Sequence, residues 1–439
     1  MSPRNNFPAL EKAVAQMARS IAAYKPSADM KRIEIRIRPL DMLVWLSLQP
    51  DKVKIYGSDQ SDTMAIAGIG EAVVVSGQRK GRLKAVFKQL RDCLSPQYPN
   101  LQWYGGFCFD DRKPDTAWKE FGAYRFVLPR FELAAQNGKM IFCCNLTPKD
   151  NIVEVLKQLN KIVIPRGRGR NDMIKGAAIF RRNDKPGEKL WRNIVEKILK
   201  DVSVKKVVLA RKTSLVFKRA LDPWAMLAQL KKVAPGSYHF VFQFNKTVFL
   251  GASPERLYRR HQRSIESEAL AGTMARSTDP KKLRASKKNQ GEHALVVDAI
   301  GTAFKELCTA YCRQKAPNIL TLSSGHHLIT KFRGQLKDGV NDEDILQFLH
   351  PTPALGGTPR KQALDIIRKI EPFSRGWYGA PIGYVGRDRA EFVVGIRSGL
   401  ACGKRLSIFA GAGIVQGSEP QDEWDEVENK ISNFLKIIR

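Results

Sequence analysis

Two glutamates in the stretch SPERLYRRHQRSIESEALAGT, residues 253–273, are candidates for chemistry in a strongly basic chain. The chain has 74 Lys and Arg against 43 Asp and Glu, a formal net charge of +31. Glu255 and Glu268 stand beside Pro, Gly and Ala rather than in a solvated run of charges. A carboxyl group shielded from water can keep its proton and donate it during a reaction. Glu255 is therefore a candidate general acid.

A lysine opens the apolar, strand-like run KVVLAR. A lysine beside a strand is usually a surface residue, with its stem on apolar neighbours and its ammonium in water. In a dry pocket the same amine gives up its proton more readily and can act as a base. Lys206 is open to both interpretations.

Two further glutamates lie on predicted helices. Glu292 lies in the opening part of KKNQGEHALVVDAIGTAFKELC, and Glu426 shares one helix face with Glu423 and Lys430 at spacings of three and four residues. A solvated ion-pair face is the simplest interpretation, but the preceding AGAG suits close approach of a ligand to the backbone. If the fold brings Glu292 and Glu426 together, they offer the oxygen ligands that Mg²⁺ prefers.

Other segments are less specific. The histidines of SSGHHLIT are, as isolated residues, interpreted as structural. The stretch HPTPALGGTPRKQAL has proline-restricted and glycine-permitted backbone, which is typical of a loop that shapes a pocket.

The elements that must position these residues are antiparallel strands and helices. KKVVLAR, YHFVFQF, TVFLGAS, EFVVGIRSG and RLSIFAGAG are β-rich, several alternate with period two, and two are joined by the tight Asn245-Lys246 step. Helical patterns separate these runs, and the helical stretch LEKAVAQMARSIAAY leads the N-terminal region. The predicted class is α+β, with helices packed on antiparallel sheets.

Length and charge suggest three regions within one large unit. Residues 1–163 form an N-terminal variable part of the same fold, 164–189 a basic Gly- and Arg-rich connector loop, and 190–439 the catalytic region. A hydrophobic content of 43% suffices for a sizeable core.

Composition excludes several classes of protein. The start MSPRNNFPAL lacks a secretory pattern, and no apolar run reaches the roughly 18–20 residues of a membrane span. Seven cysteines without paired metal spacing favour a reduced, cytoplasmic protein. A pI near 10.0 raises the alternative of a basic nucleic-acid-binding protein. The scattered charges and the absence of a recognition motif argue against specific nucleic-acid binding.

Ten segments in order resemble the chorismate-utilising enzymes. They are KVVLAR, LGASPERL, ESEALAGT, KNQGEHALVV, HHLIT, HPTPALGGTP, EPFSRGWYGAPIGY, EFVVGIRSG, AGAGIV and EWDEVENK. The resemblance is dense over 190–439 and weaker upstream. It implies the fold of the anthranilate synthase large component, with two facing antiparallel sheets, outer helices and a site in the cleft between them.

Fewer residues decide the subfamily. Lys206 matches the lysine of water-using members, where ammonia-using members carry Gln, and the HPTPALGG loop is similar to that of isochorismate synthases. The resemblance therefore implies conversion of chorismate to isochorismate, without a glutaminase subunit. Salicylate synthase, which also eliminates pyruvate, is the alternative. The pathway supplied (menaquinone, siderophore or salicylate) and the oligomeric state stay open, with a lean toward menaquinone.

The resemblance also implies roles for individual residues. Lys206 matches the base that activates water, Glu255 the acid that protonates the departing hydroxyl, and Glu292 and Glu426 the ligands of Mg²⁺. The implied substrate contacts are Gly272, Thr273, His327, Ala354, Arg397, Gly411 and Lys430. Glu268 is interpreted as a structural or supporting residue outside the chemistry.

Overall fold

The computed structural model describes residues 7–25, 28–79, 81–110, 115–165, 178–323 and 325–438. Within them, helices α1 to α11 are Phe7–Ala22, Met42–Leu48, Leu83–Asp92, Ile152–Asn160, Glu188–Leu199, Pro223–Val233, Pro280–Ala285, Lys287–Leu307, Asp342–Leu349, Arg360–Ile370 and Pro420–Ile438. Strands β1 to β22 are Lys31–Ile37, Val53–Ser58, Met64–Ile69, Val73–Gly77, Gln102–Phe107, Tyr124–Leu128, Phe131–Gln136, Lys139–Leu146, Ile179–Lys185, Lys206–Phe217, Tyr238–Phe244, Thr247–Ser253, Arg256–His261, Ser264–Met274, Cys308–Arg313, Asn318–Leu322, Gly325–Leu336, Gly357–Thr358, Pro381–Gly386, Arg389–Val394, Ser398–Cys402 and Arg405–Val415. None of the helices in these ranges is long and apolar enough to cross a membrane.

The described strands form two antiparallel sheets. The larger has the order β1-β8-β7-β3-β2-β11-β12-β21-β22-β10-β18, with β9 also paired to β10. The smaller has the order β15-β17-β14-β13-β20-β19-β5-β6-β4, with β16 also paired to β17. This architecture confirms the predicted α+β class with two antiparallel sheets.

One apolar cluster shows that the two sheets face each other. Ile55 and Phe242 of the larger sheet pack in the same buried cluster as Tyr104 and Val393 of the smaller sheet. Large aromatic rings fill the space, and Trp377, from the segment before β19, lies edge-on to Phe242 with ring centroids 5.5 Å apart. Such contacts bury apolar area on both inner faces and so hold the sheets together.

Strands from the first third of the chain are part of both sheets. In the larger sheet β2 pairs with β11, and in the smaller sheet β5 pairs with β19. The N-terminal region 1–163 therefore shares its sheets with the region 190–439.

The later part of the predicted connector loop is regular structure. Residues 166–177 lie outside the described residues, but Ile179–Lys185 forms β9 and pairs with Lys212–Phe217 of β10, and Glu188 begins α5. The prediction of a loop over 164–189 is therefore wrong for these residues. Strand β9 is exposed at nearly every position, so it lacks the period-two apolar pattern that identifies a half-buried strand.

Two helices present the site residues because their apolar faces pack on the sheets. Helix α8 packs against β14 and α11 against β22. On α11 an apolar stripe, spaced three and four residues apart in the sequence, is buried at Trp424, Val427, Ile431 and Phe434. Because each helix is fixed by its apolar face, the direction of its polar side chains is fixed as well. Glu292 of α8 and Glu426 of α11 thereby face the space between the sheets.

Candidate active site

A cleft between the two sheets collects the residues predicted from the sequence. Ten of them line it, namely Glu255, Gly272, Thr273, Glu292, His327, Ala354, Arg397, Gly411, Glu426 and Lys430. The remaining residue, Lys206, contacts the Glu292 side chain. All the predicted site residues are therefore in one place.

Lys206 is the first residue of β10 and is buried rather than exposed to water. Its Nζ donates a hydrogen bond to Glu292 Oε1 at 2.9 Å. A Cβ atom at Gly413 of the adjacent β22 would lie 2.8 Å from Lys206 Cε and 2.6 Å from Glu292 Oε1. Only glycine leaves room for this pair, and the surface interpretation of Lys206 is excluded.

Glu255 lies in the short connection between β12 and β13, and its side chain is buried in the cleft wall. Burial, with a further contribution from the nearby Glu268 carboxylate, raises the pKa of Glu255 to about 8. Lys206 and Lys430 act in the opposite direction but do not cancel this effect. Glu255 therefore carries its proton at neutral pH, as a general acid requires.

Two carboxylates, Glu292 from α8 and Glu426 from α11, face the same cleft. Burial raises the pKa of Glu292, but the charge and hydrogen bond of Lys206, together with the charges of Lys430 and Lys288, leave that pKa below its ordinary value. Lys430 Nζ donates to Glu426 Oε1 and also to the Gly411 carbonyl oxygen, the latter at 2.7 Å.

The donor set suits a hard cation, although the described residues contain no group of three or more His, Cys, Asp and Glu side chains that could hold a metal ion. Lys288 lies within electrostatic reach of Glu292, Glu426 and a third carboxylate, Glu423, so the acids of α8 and α11 share one region. Two carboxylates with water and substrate oxygens are a common environment for Mg²⁺. The residues present therefore fit the magnesium ion implied by the resemblance.

Cationic groups occupy another part of the cleft wall. Arg397 lies in the turn just before β21. Its backbone is left-handed, with φ of 49°, which is rare for a residue with a side chain, and this conformation sets where the side chain lies. Burial lowers the pKa of Arg397 to about 10, with Glu426 and Tyr378 acting in the opposite direction. The guanidinium remains charged at neutral pH and can bind a carboxylate.

Neutral hydrogen-bonding groups complete the wall. Thr273 Oγ1 lies 3.1 Å from His327 Nδ1, while His327 Nε2 is buried without a hydrogen-bond partner. Burial, followed by the positive charges of Arg397 and Lys430, holds the pKa of His327 well below its usual range. His327 is therefore a neutral residue of the cleft. His326 differs, because its ring bonds Thr321 and the Arg276 carbonyl and is structural.

Comparisons with known proteins agree with this geometry. The profile of the family described as "Chorismate binding enzyme" matches residues 14–439. The chain belongs to the chorismate-binding enzyme family. "Isochorismate synthase MenF" from Bacillus subtilis is 31% identical over 438 residues, which cover 92% of each protein.

Solved structures place this chorismate-binding enzyme among known folds. The structure of MenF, the menaquinone-specific isochorismate synthase from Escherichia coli, has a TM-score of 0.86, with 28% identity over 98% of this chain and all of that one. Anthranilate synthase component I from Streptococcus pneumoniae has a TM-score of 0.72 at 18% identity, covering 86% and 92% of the two chains, and supports the fold alone. The expected family fold is confirmed.

Two further residues of this chorismate-binding enzyme, Arg375 and Tyr378, line the cleft without having been predicted as site residues from the sequence. Arg375 is buried and donates to the carbonyl oxygens of Leu355 and Val208, at 2.8 and 2.7 Å, and to the Glu371 carboxylate. It thereby ties the loop that carries Ala354 to the strand that carries Lys206. Both residues lie in EPFSRGWYGAPIGY, one of the ten segments that carry the family resemblance.

Replacing Arg375 with leucine is expected to destabilise this chorismate-binding enzyme by about 3–5 kcal/mol, because Glu371 would be left as a buried charge without its partner. Urea unfolding followed by circular dichroism measures the change. Arg192→Leu is the control, since Arg192 pairs with Glu188 on the surface and should cost less than about 1 kcal/mol. Equal stability of the two variants would contradict the role of Arg375.

Proposed function

We propose that this chorismate-binding enzyme is an isochorismate synthase, which converts chorismate to isochorismate. One observation carries the proposal. A buried carboxyl that keeps its proton, Glu255, lines one cleft with Arg397 and Glu292, and a buried amine, Lys206, donates a hydrogen bond to Glu292. The relative from Bacillus subtilis and the structural neighbour from Escherichia coli, both named isochorismate synthase, support it.

The reaction moves a hydroxyl from C4 to C2 of the ring. Water is a weak nucleophile and hydroxide a poor leaving group, so a base and an acid are both needed. Lys206 acts as the base that takes a proton from water while the water oxygen bonds to C2 and both double bonds of the ring diene shift toward C4. The C4–O bond breaks as Glu255 gives its proton to that oxygen. One water enters and one leaves, so the product is an isomer of the substrate.

The positive and neutral groups of the wall bind the substrate. Chorismate carries two carboxylates, and the planar guanidinium of Arg397 can pair with one of them through two parallel hydrogen bonds. Lys430 supplies a second positive charge, and His327 Nε2 is available to a polar group of the substrate. These contacts orient the ring so that C2 and C4 meet the base and the acid.

We propose that Mg²⁺ is the cofactor and that Glu292 and Glu426 hold it. When bound, it neutralises the ring carboxylate and withdraws electron density from the ring. Chelation with EDTA is expected to abolish turnover, and added excess Mg²⁺ to restore it, as measured by product formation. The fold should survive, because the core does not depend on these carboxylates, so unchanged circular dichroism is the control. Full turnover in EDTA would contradict the magnesium role.

The test of the proposed function is incubation of purified protein with chorismate and Mg²⁺, followed by chromatography of the products. Isochorismate as the sole product supports the proposal. Salicylate with pyruvate would keep the site but make the protein a salicylate synthase. An aminated product that requires ammonia would point to the ammonia-using branch and a glutaminase partner. No turnover under any condition would overturn the proposal and favour the nucleic-acid alternative, which a salt-sensitive gel shift then tests.

We propose that the product supplies menaquinone biosynthesis in the cytoplasm. We also propose that the enzyme acts without a glutaminase subunit. The support is the likeness to the menaquinone-specific enzyme, which extends over 98% of this chain. Deletion of the gene followed by quinone analysis is the test: loss of menaquinone is expected, whereas loss of a catechol siderophore alone would move the enzyme to that pathway.

A further inference from the structure

A second cavity adjoins the loop that carries Ala354. Its volume is about 180 Å³, and none of the described residues that line it also lines the active-site cleft. Its wall combines α8, the end of α9, the loop 350–356, β18 and the start of α10. Thr358 of this wall pairs with Lys206 of β10, so the cavity adjoins elements that support the cleft. We call it the α10 cavity, and its wall includes Ile300, Phe348, Pro351, Thr352, Thr358 and Arg360.

Much of the wall of the α10 cavity is apolar. Ile300 and Leu349 are buried, whereas Phe348 keeps 46% of its surface exposed. An exposed aromatic side chain on a cavity wall is a favourable contact for the apolar part of a ligand. An apolar cavity of roughly 150 Å³ accepts a molecule the size of benzene. The α10 cavity therefore has room for one ring with a small substituent.

Arg360 gives the cavity a positive charge that no carboxylate neutralises. It is the first residue of α10, and its Nη1 donates to the Gln347 carbonyl oxygen at 3.1 Å. Although the residue is exposed overall, loss of water around the guanidinium lowers the pKa of Arg360, and no carboxylate of the described residues offsets this effect. A guanidinium has five N–H donors, so several of them are available to an anion.

The N-terminus of α10 lies at the same place. The helix has 11 residues, and its N-cap, Pro359, supplies no side-chain hydrogen bond to the first turn. Unpaired backbone N–H groups and the helix dipole favour a negative charge at such an end. Arg360 and the helix end thus attract an anion to one side of the cavity.

Thr352 gives an independent indication of a missing partner. It lines the cavity and is only 5% exposed, and its Oγ1 is buried without a hydrogen-bond partner among the described residues. Buried hydroxyl groups are nearly always hydrogen-bonded, because an unsatisfied one is unfavourable. An acceptor bound in the cavity would satisfy this hydroxyl.

We propose that the α10 cavity is a binding site, separate from the active site, for a small carboxylate with an apolar ring. The carboxylate pairs with the guanidinium of Arg360 beside the start of α10 and accepts a hydrogen bond from Thr352 Oγ1. The ring packs on Phe348 and Ile300. A planar carboxylate matches a guanidinium through two parallel hydrogen bonds, whereas an inorganic anion would leave the apolar wall uncovered. The site is independent of the proposed reaction, because its occupancy is measured without turnover.

Benzoate is the probe, and NMR of protein labelled with carbon-13 at the isoleucine δ1 methyl groups measures its binding. Ile300 lines the α10 cavity and Ile396 lines the cleft, where Arg397 also attracts carboxylates, so the two methyl signals report the two sites separately. Their absence in Ile300→Val and Ile396→Val assigns them. The Ile300 signal should shift and saturate with a Kd of about 1 mM or below. An Ile300 signal that stays in place throughout the titration overturns the proposal.

Two variants test the polar contacts. Arg360→Gln should weaken binding at Ile300 by about tenfold or more, and Thr352→Val, which keeps the shape, by about two- to tenfold. Neither should change binding at Ile396. Thr352→Val should fold at least as well as the wild type, because it removes an unsatisfied hydroxyl, so it decides the matter if Arg360→Gln does not fold. Unchanged affinity in both variants overturns the proposal.

Lys361→Gln is the matched control for charge. Lys361 follows Arg360 on α10, is exposed and does not line the cavity, so its removal lowers the net charge equally. Its affinity for benzoate should equal that of the wild type. Equal weakening in Lys361→Gln and Arg360→Gln would show that only the overall charge matters, and the proposed site would be wrong.

Two sets of analogues test the two parts of the ligand. Benzyl alcohol keeps the ring without the charge, while acetate and inorganic phosphate keep a charge without the ring. Each should bind at Ile300 at least about tenfold more weakly than benzoate. Benzyl alcohol binding as tightly as benzoate would rule out the anion site, and acetate or phosphate binding as tightly would rule out the role of the apolar wall.

Discussion

Replacing Lys206 with alanine is expected to reduce the turnover of chorismate by about 10²–10⁴-fold, the usual contribution of a general base. The reason is that the two other amines near the site are already paired, Lys430 with Glu426 and the Gly411 carbonyl and Lys288 with Glu423. The loss should appear mainly in kcat, because Lys206 acts on water rather than on the substrate carboxylates. Steady-state kinetics with isochorismate detection measures it.

Lys205→Ala is the control for this experiment. Lys205 precedes Lys206 on the chain but is exposed to solvent, so its removal lowers the net charge equally without touching the cleft. Its kinetics should match the wild type. A Lys206→Ala variant that keeps wild-type kcat, or a Lys205→Ala variant that loses activity, would contradict the assignment of the base.

The second large effect is expected for Glu255→Gln, with a loss of kcat of about 10²–10⁴-fold. Glutamine has the size of glutamic acid but no acidic proton, so the C4 oxygen would leave as hydroxide. The pH dependence of the activity gives a second, independent test of Glu255. Because the pKa of Glu255 is about 8, wild-type activity should fall above pH 8 as the acid loses its proton. The residual activity of Glu255→Gln should lack this falling limb.

Glu196→Gln, an exposed position on α5, is the control for the loss of one carboxylate. It should keep both the rate and the pH profile of the wild type. The assignment of the acid would be wrong if Glu255→Gln retained the rate, or if its residual activity still fell with the same midpoint near pH 8.

The amine and the acid are built into rigid elements, which bears on how the site works. Lys206 is a strand residue paired with Val415 on one side and with Thr358 on the other. Glu255 is held between two strands, and its neighbour Arg256 is fixed by Glu268. A base on a paired strand and an acid held in a short connection between two strands keep their separation through the reaction, so the substrate is oriented by the protein at little entropic cost.

The sequence by itself determined several of the elements and which residue types the site would contain. Period-two strands and the apolar stripes of α8 and α11 are local patterns, and each is set by which side chains face the core. The tight step at Asn245 became the β11–β12 hairpin, with Asn245 in a left-handed conformation. Ordered motifs from KVVLAR to EWDEVENK named the residues that line the cleft.

Only the tertiary structure decided how these residues act on one another. Lys206 and Glu292 are 86 residues apart, and their ion pair exists because β22 has glycine at position 413. Strand β9 was missed because an exposed edge strand has no buried face to impose a pattern.

The protonation of Glu255 is the clearest case of a property that the sequence does not contain. The motif SPERL is compatible with an ionised surface glutamate as well as with a buried acid. The pKa of a carboxyl depends on the water removed from around it and on the charges near it. For Glu255 these are burial between the sheets and the charges of Glu268, Lys206 and Lys430, from three other elements. The sequence identifies Glu255 as the acid, and the packing of distant elements raises its pKa so that it keeps its proton.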